Sequence, residues 1–223
     1  MTRRELAKCI DQIIYKPDAT EFEIKSFCDS AKKEGFYSVS VLPIHVSTVS
    51  KNLKGSVVKA GALISFPLGM DIPEVKILET KNAIKDGAEV INVVLNIGAI
   101  KAGDFKTVSA ELKGILQIAK DKNVQVFAII EMPLFNTDQA IKAITFIDKE
   151  GVTGITTSTA FKGLKLRDTT VEDILLIKKI IKSPIVIKAS SINLNLDQIL
   201  NLLENGAKYV MVGNGKELIE GIL

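Results

Sequence analysis

A regular alternation of short apolar runs with longer amphipathic stretches constrains the fold of this chain more than any other feature. Eight runs rich in apolar and β-branched residues recur along the 223 residues: Ile10 to Tyr15, Tyr37 to Leu42, Lys59 to Phe66, Val90 to Asn96, Val124 to Glu131, Gly154 to Thr159, Pro184 to Ser190 and Lys208 to Val212. After most of them, apolar residues return every three or four positions among Lys and Glu, which is the spacing of surface helices. These stretches are Glu21 to Glu34, Pro73 to Asp86, Phe105 to Lys122, Thr137 to Glu150, Val171 to Lys182 and Leu196 to Asn205. The alternation predicts βα units and a parallel sheet.

Eight βα units with right-handed crossovers close most naturally into one barrel. We therefore predict an α/β fold, a (β/α)8 TIM barrel that forms a single domain over residues 1–223, with a short helix in the N-terminal sequence MTRRELAKC. The residues at the predicted helix ends agree with this fold, since Asp71 and Asn136 stand where N-caps are expected and Gly35 stands where a helix should end. A doubly wound open sheet is the alternative, but no GxGxxG motif follows the first strand.

Composition narrows the classes of partner. The net charge of +3 comes from 29 basic and 26 acidic residues spread along the helical stretches, and with no Trp and three Tyr there is little surface to stack nucleobases. We therefore expect no nucleic acid partner. Apolar stretches are interrupted well before 18 residues and the N-terminus has no apolar signal region, so we expect no membrane partner and a cytoplasmic location. Cys9 and Cys28 lie outside any CxxC spacing, which favours small buried or half-exposed thiols and no metal site.

Two charged residues stand at the ends of predicted strands, where a barrel of this kind keeps its chemistry. Lys188 lies in the seventh run, PIVIKAS, and Glu131 closes the fifth, VQVFAIIE. Glu131 could act as an acid or a base, or pair with Lys188. The ion pair is the preferred interpretation, because an unpaired charge at that position is costly.

Nine segments carry a resemblance to a known family along nearly the whole chain. They are IDQIIYKPDAT at 10–20, SVSVLP at 38–43, FPLG at 66–69, EVK at 74–76, GAEVINVVLNIGAIKAGDF at 87–105, IIE at 129–131, TSTAF at 157–161, VEDI at 171–174 and IKAS at 187–190. In this order they resemble the deoxyribose-phosphate aldolase family. The resemblance implies a class I aldolase that needs no cofactor. Such an enzyme reversibly cleaves 2-deoxyribose 5-phosphate to glyceraldehyde 3-phosphate and acetaldehyde through an imine on a lysine.

Carried over position by position, the resemblance keeps some of the family's catalytic residues and finds others replaced. Asp11 matches the family's aspartate of the first strand, and Lys188 matches the second lysine, which tunes its neighbour and relays protons. The imine-forming lysine falls on Thr156, and the proton-shuttling aspartate falls on Asn92. A hydroxyl cannot form an imine, and an amide cannot accept and return a proton at neutral pH.

The positions that the resemblance assigns to phosphate binding have changed as well. The family's paired glycines fall on Ser191 and Ile192, and its arginine falls on Leu194. The candidate phosphate-binding residues that remain are Gly213, Asn214, Gly215 and Lys162. The first three open the last predicted helix, whose amides can face an anion, and Lys162 supplies a charge from the loop after the sixth strand. The alternative is that these are ordinary turn and surface residues.

Three functional hypotheses follow. The first is a divergent or inactive paralogue that binds a small phosphorylated sugar or related metabolite. The second is an active aldolase with its imine on Lys188, which requires the lysine pKa to fall by roughly 3 units without help from a neighbouring ammonium. The third is a non-enzymatic partner of an active paralogue. A homo-oligomer is possible, although the sequence identifies no interface.

Overall fold

The computed structural model of the chain describes residues 1–161, 163, 166–190 and 194–222, and over these ranges eight parallel strands close into a barrel. The strands are β1 (Ile10–Ile14), β2 (Ser38–Val41), β3 (Lys59–Ile64), β4 (Val90–Val94), β5 (Gln125–Ile129), β6 (Gly154–Thr156), β7 (Val186–Ser190) and β8 (Tyr209–Val212). Each strand pairs with the next in sequence, and β8 pairs with β1. The predicted (β/α)8 barrel is confirmed.

Helices follow the strands as the apolar spacing indicated. They are α1 (Arg3–Ala7), α2 (Glu21–Glu34), α3 (Val46–Leu53), α4 (Pro73–Lys85), α5 (Ile97–Ala102), α6 (Phe105–Lys120), α7 (Thr137–Ile147), α8 (Val171–Ile180), α9 (Leu196–Glu204) and α10 (Gly215–Glu220). The caps at Asn136 and Gly35 are confirmed, the latter with a φ of 77°. The expected cap at Asp71 is wrong, because α4 begins after Ile72 and Asp71 accepts a hydrogen bond from Ser65 instead.

The largest difference from the predicted strands is at β6, which ends at Thr156 although the run continues to Thr159. Beyond Thr156 the backbone keeps two backbone bonds, from the Thr157 N–H to the Lys188 carbonyl and from the Met132 N–H to the Thr157 carbonyl, and side chains supply further bonds. The Thr159 amide donates to Glu131, and the Ser190 amide of β7 donates to the Thr157 hydroxyl. Side-chain oxygens therefore replace part of the strand pairing at this end of the barrel.

The barrel interior is layered along its axis. An aromatic cluster with Tyr37, Val90, Phe127, Val186 and Tyr209 fills the N-terminal end. A second apolar cluster lies toward the C-terminal end and contains Ile13, Leu63, Val94, Ile129 and Met211. Residues two positions apart share a strand face, so Asp11 and Asn92 lie one step closer to the N-terminal end than Ile13 and Val94. Asp11 and Asn92 are thus enclosed between two apolar layers.

A buried ion pair ties α4 and α6 to the end of β4. Lys76 Nζ lies 2.6 Å from Glu111 Oε2 and donates to the Val94 carbonyl at 2.9 Å. Glu111 also accepts a hydrogen bond from the backbone N–H of Asn96. Burial lowers the pKa of Lys76, and Glu111 opposes that change. Because each charge has a partner, the pair fixes the chain just after the strand that carries Asn92.

Within the described residues, every helix is too short or too polar to cross a bilayer.

Candidate active site

Four polar side chains from four strands form a closed hydrogen-bonded cluster inside the barrel. Lys188 Nζ donates to Asp11 Oδ2 at 2.6 Å and to Asn92 Oδ1 at 2.8 Å. The Asn92 amide donates to Ser40 Oγ at 3.0 Å and to Asp11 Oδ2 at 3.3 Å, and Ser40 Oγ donates to Asp11 Oδ1 at 2.6 Å. All four side chains belong to residues with no exposed surface. The arrangement satisfies a buried charge pair with neutral donors and acceptors.

Ser40 was not foreseen from the sequence as a member of this cluster. A signal was present, because the alternation in SVSVLP directs Ser40 to the same side as the interior residues of its neighbours. The packing around it is tight, since a methyl group on Gly61 of β3 would overlap the Ser40 hydroxyl. Gly61 therefore leaves the space in which Ser40 bonds to Asp11 and Asn92.

Burial and charge act on Lys188 in opposite directions. Desolvation lowers the pKa of the amine, while the Asp11 carboxylate raises it, and the burial effect is the larger. The ammonium also lies 3.7 Å from the centre of the Phe127 ring and 5.5 Å from that of Tyr37. These ring faces favour the charged form. Lys188 is thus an amine with a pKa below its ordinary value that is nonetheless held as one half of an ion pair.

Thr156 lies beside Lys188 in the barrel wall, as strand alternation predicted. Their Cα atoms are register partners in the β6–β7 ladder. Thr156 is fully buried, and within the described part of the chain its hydroxyl has no hydrogen-bond partner. Toward the N-terminal end, Gly154 leaves room for the Phe127 ring, because a Cβ there would lie 2.9 Å from that ring. The position that the resemblance assigns to imine formation therefore holds an unpartnered hydroxyl next to the remaining lysine.

The expected ion pair between Glu131 and Lys188 is wrong. Glu131 lies beyond the last residue of β5 with a φ of 50°, and its Oε2 accepts from the Thr159 amide at 3.0 Å and from the Thr159 hydroxyl at 2.7 Å. The left-handed backbone turns the side chain toward the segment after β6, whereas Lys188 reaches Asp11 in the interior. Burial raises the pKa of Glu131, although the two bonds from Thr159 oppose the increase.

We expect Glu131→Gln to flatten part of the dependence of stability on pH. The folded-state pKa of Glu131 is raised above 4.5. The stability that its protonated carboxyl contributes is therefore fully present below pH 4.5 and is lost as the pH rises through the folded-state pKa. The amide oxygen of the variant can still accept both bonds from Thr159. In urea titrations, the free energy of unfolding of Glu131→Gln relative to that of the unmodified protein should increase between pH 4 and 7. Glu21→Gln, at an exposed position, serves as the control. A constant difference across that range would contradict the expectation.

The candidate phosphate-binding turn precedes α10, as predicted, but one of its amides is already bonded. The Gly215 N–H donates to Gln12 Oε1 at 2.9 Å, and Gln12 Nε2 donates to the Gly213 carbonyl at 2.6 Å. A Cβ on Gly215 would lie 2.6 Å from the same Gln12 oxygen. Asn214 precedes the helix without a side-chain capping bond. Gln12 was not foreseen from the sequence. Lys162 lies outside the described residues, as do Ser191 and Ile192.

Comparison with known proteins gives matches over nearly the whole chain. A protein of Staphylococcus epidermidis named deoxyribose-phosphate aldolase is 38% identical over 97% of this chain and 96% of its own length. The chain belongs to the deoxyribose-phosphate aldolase family. The aldolase of the same name from Thermococcus kodakarensis is 34% identical over 99% of this chain and 98% of its own length. No family model matches the chain.

Solved structures give the same fold. An aldolase called QR15 superposes with a TM-score of 0.89 at 32% identity and covers 96% of this chain and 94% of its own. The deoxyribose phosphate aldolase of Aeropyrum pernix superposes with a TM-score of 0.89 over 98% of this chain and 91% of its own; at 23% identity it supports the fold alone. The predicted membership of the deoxyribose-phosphate aldolase family is confirmed, and the roles of individual residues stay predictions.

Proposed function

We propose that this chain is a divergent aldolase-family protein that binds a small phosphorylated sugar or related metabolite and does not cleave it through the family's imine. The observation that carries the proposal is Thr156, a buried hydroxyl at the imine position with no amine of its own. The relatives at 34 to 38% identity are named for deoxyribose phosphate, which supports a ligand of that class.

The state of Lys188 supports the same conclusion. To attack a carbonyl carbon, the amine would have to lose a proton and leave Asp11 and Asn92. Its departure would strand a buried carboxylate, which is costly without another partner. Lys188 Nζ bonds to Asp11 and Asn92, which lie one step deeper in the barrel than Ile13 and Val94 of the apolar cluster. An amine held at that depth is turned away from the C-terminal mouth, where a substrate would enter.

An imine on Lys188 is the second candidate function, and one observation favours it. Burial lowers the pKa of Lys188, and a neutral amine is the form that attacks a carbonyl. In that mechanism the amine adds to the carbonyl carbon, water leaves, and the positive imine withdraws electrons from the bond that breaks. Asp11 acts against it, since its carboxylate stabilises the ammonium.

For the phosphate we propose the turn at Gly213 and Asn214, together with Lys162. A backbone turn that leads into a helix offers amide donors to an anion. The Gly215 N–H, also a candidate from the sequence, would become available only if Gln12 moved away. A calorimetric titration with deoxyribose 5-phosphate tests the ligand class, and no binding at millimolar concentration would remove it.

Assembly as a homo-oligomer is part of the proposal. The Aeropyrum pernix aldolase is described as a tetramer, which makes association of this chain with itself reasonable. The cytoplasmic location stays a prediction.

Borohydride trapping separates the two candidate functions. If an imine forms, hydride reduces its C=N bond to a stable secondary amine, and mass spectrometry finds the added mass on a lysine. With acetaldehyde or deoxyribose 5-phosphate, we expect no adduct on Lys188, and Lys188→Met gives the background. An adduct on Lys188 that is absent from Lys188→Met would establish the second function instead.

A further inference from the structure

Six large apolar side chains form an exposed surface beside the C-terminal end of the barrel. They are Ile44, Leu68, Met70, Ile72, Val75 and Leu78, here called the α4 patch, and their exposed fractions range from 44 to 82%. Leu68 and Met70 lie in the segment from β3 to α4, Ile72 caps α4, and Val75 and Leu78 follow on the helix at three-residue spacing. Ile44 belongs to a short 3₁₀ turn after β2 that contacts α4.

The α4 patch is comparable in size with the largest apolar patch of a typical monomer. Six such side chains together expose apolar area on the order of several hundred Å², within the range of about 300–600 Å² for such patches, which often serve a function. A stable interface covers about 800 Å² on each partner. The α4 patch with its polar border is therefore large enough to form the centre of a stable interface.

Helix α4 is apolar on its outer side although its inner side is already packed. Its buried residues are Lys76, Thr80 and Ala83, and Lys76 is fixed by Glu111 of α6. The exposed Val75 and Leu78 therefore are not needed to hold α4 on the barrel. Their exposure indicates a function at the surface rather than in the core.

The charges on the exposed side of α4 indicate which occupant fits. Glu74 lies in the first turn, and Lys81 and Lys85 lie toward the last, all three exposed. Glu74 and Lys81 are separated by two helical turns, about 10 Å along the axis. If two copies of α4 pack antiparallel about a two-fold axis near Leu78, Glu74 of each copy faces Lys81 of the other. The helix dipoles are then also antiparallel.

We propose that the α4 patch is where a second copy of this chain docks, with the two α4 helices antiparallel about a two-fold axis near Leu78. Such an interface is isologous, since the same patch serves both protomers. Apolar side chains lie at its centre and the Glu74–Lys81 contacts lie at its border, which is the usual division of an interface. The inference specifies the surface of the proposed homo-oligomer and does not depend on the imine chemistry or on the ligand.

Sedimentation equilibrium on the full chain tests the surface. We expect a dimer, or a higher even-numbered assembly, and Leu78→Glu should raise the dissociation constant of the α4 contact at least about 100-fold, because it places a charge at the centre of the interface. Phe22→Glu is the matched control, since Phe22 on α2 is 81% exposed and lies outside the patch. Circular dichroism of both variants verifies that the fold is retained.

A charge exchange tests the antiparallel geometry. Glu74→Lys alone and Lys81→Glu alone each place like charges together, and each should weaken the dimer up to about tenfold. A mixture of the two variants should form a heterodimer tighter than either homodimer, because both opposite-charge contacts are restored between unlike protomers. A monomeric unmodified protein would overturn the proposal. So would an oligomer that Leu78→Glu leaves intact or Phe22→Glu disrupts, or a mixture no tighter than its parts. If the protein is an oligomer but either variant test fails, the α4 contact is ruled out while the proposed homo-oligomer is retained.

Discussion

The double variant Thr156→Lys with Asn92→Asp should cleave deoxyribose 5-phosphate at least about 10²-fold faster than the unmodified chain, since general acid–base help alone contributes typically 10² to 10⁴. The unmodified chain lacks an amine at the imine position and a carboxylate at the shuttle position. Its rate should be absent or several orders of magnitude below that of the Staphylococcus epidermidis relative. A coupled assay for glyceraldehyde 3-phosphate measures kcat and KM of all three proteins.

The structure gives a physical reason for that recovery. Thr156 and Lys188 are register partners, so a lysine at position 156 would place its amine beside the Lys188 ammonium. Two neighbouring ammonium groups disfavour each other, which lowers the pKa of the incoming lysine toward the neutral, nucleophilic form. Asn92 already lies 2.8 Å from Lys188 Nζ, and a carboxylate there could exchange protons through it.

A matched control isolates the amine. Thr156→Met with Asn92→Asp adds a side chain of similar length without a nucleophile, and we expect it to stay inactive. If the phosphate site has been lost, the lysine variant should show a raised KM while kcat still recovers. Robust turnover by the unmodified protein, abolished by Lys188→Ala, would contradict the expectation and assign the imine to Lys188.

The sequence was sufficient for the fold and for the neighbourhood of Thr156 and Lys188, because both follow from local periodicity. The 3.6-residue and two-residue repeats define the helices and the interior faces of β6 and β7. Consecutive parallel strands in a barrel are neighbours, so the two side chains had to meet. Asn92 could be placed in the same interior for the same reason.

The partners within the site could not be predicted from sequence. The Lys188–Asp11 pair joins residues 177 positions apart, and periodicity says which side a residue faces but not which interior groups touch. Glu131 was misassigned because its direction depends on a left-handed backbone and on the Thr159 amide. The bond that occupies the Gly215 N–H was not foreseen for a similar reason, since Gln12 reaches it from the other end of the chain.

Removing either partner of the Lys188–Asp11 pair should destabilise the protein by about 3–5 kcal/mol, because the other charge is left buried and unpaired. Asp11→Asn and Lys188→Met each do this while nearly preserving side-chain size. The double variant Asp11→Asn with Lys188→Met should lose far less stability than the sum of the two single losses, since Asn at position 11 can still bond Ser40 and Asn92. Urea unfolding gives the free energies, and the exposed Glu21–Lys25 pair, 3.3 Å apart, should show coupling of only about 0.3–0.5 kcal/mol.

The pH dependence of Asp11→Asn distinguishes an unpaired charge from a simple packing defect. In the unmodified protein Asp11 raises the pKa of Lys188 against the larger effect of burial. Without that carboxylate the folded-state pKa falls further below the ordinary 10.5, so the unfolded chain binds more protons than the folded one between the two values. Stability then rises with pH across that window. The deficit of Asp11→Asn relative to the unmodified protein should therefore shrink as the pH is raised from neutrality toward 10.5, through the interval between the folded-state pKa of Lys188 in the variant and that in the unmodified protein. A packing defect would leave it constant, because no proton is gained or lost on forming a cavity.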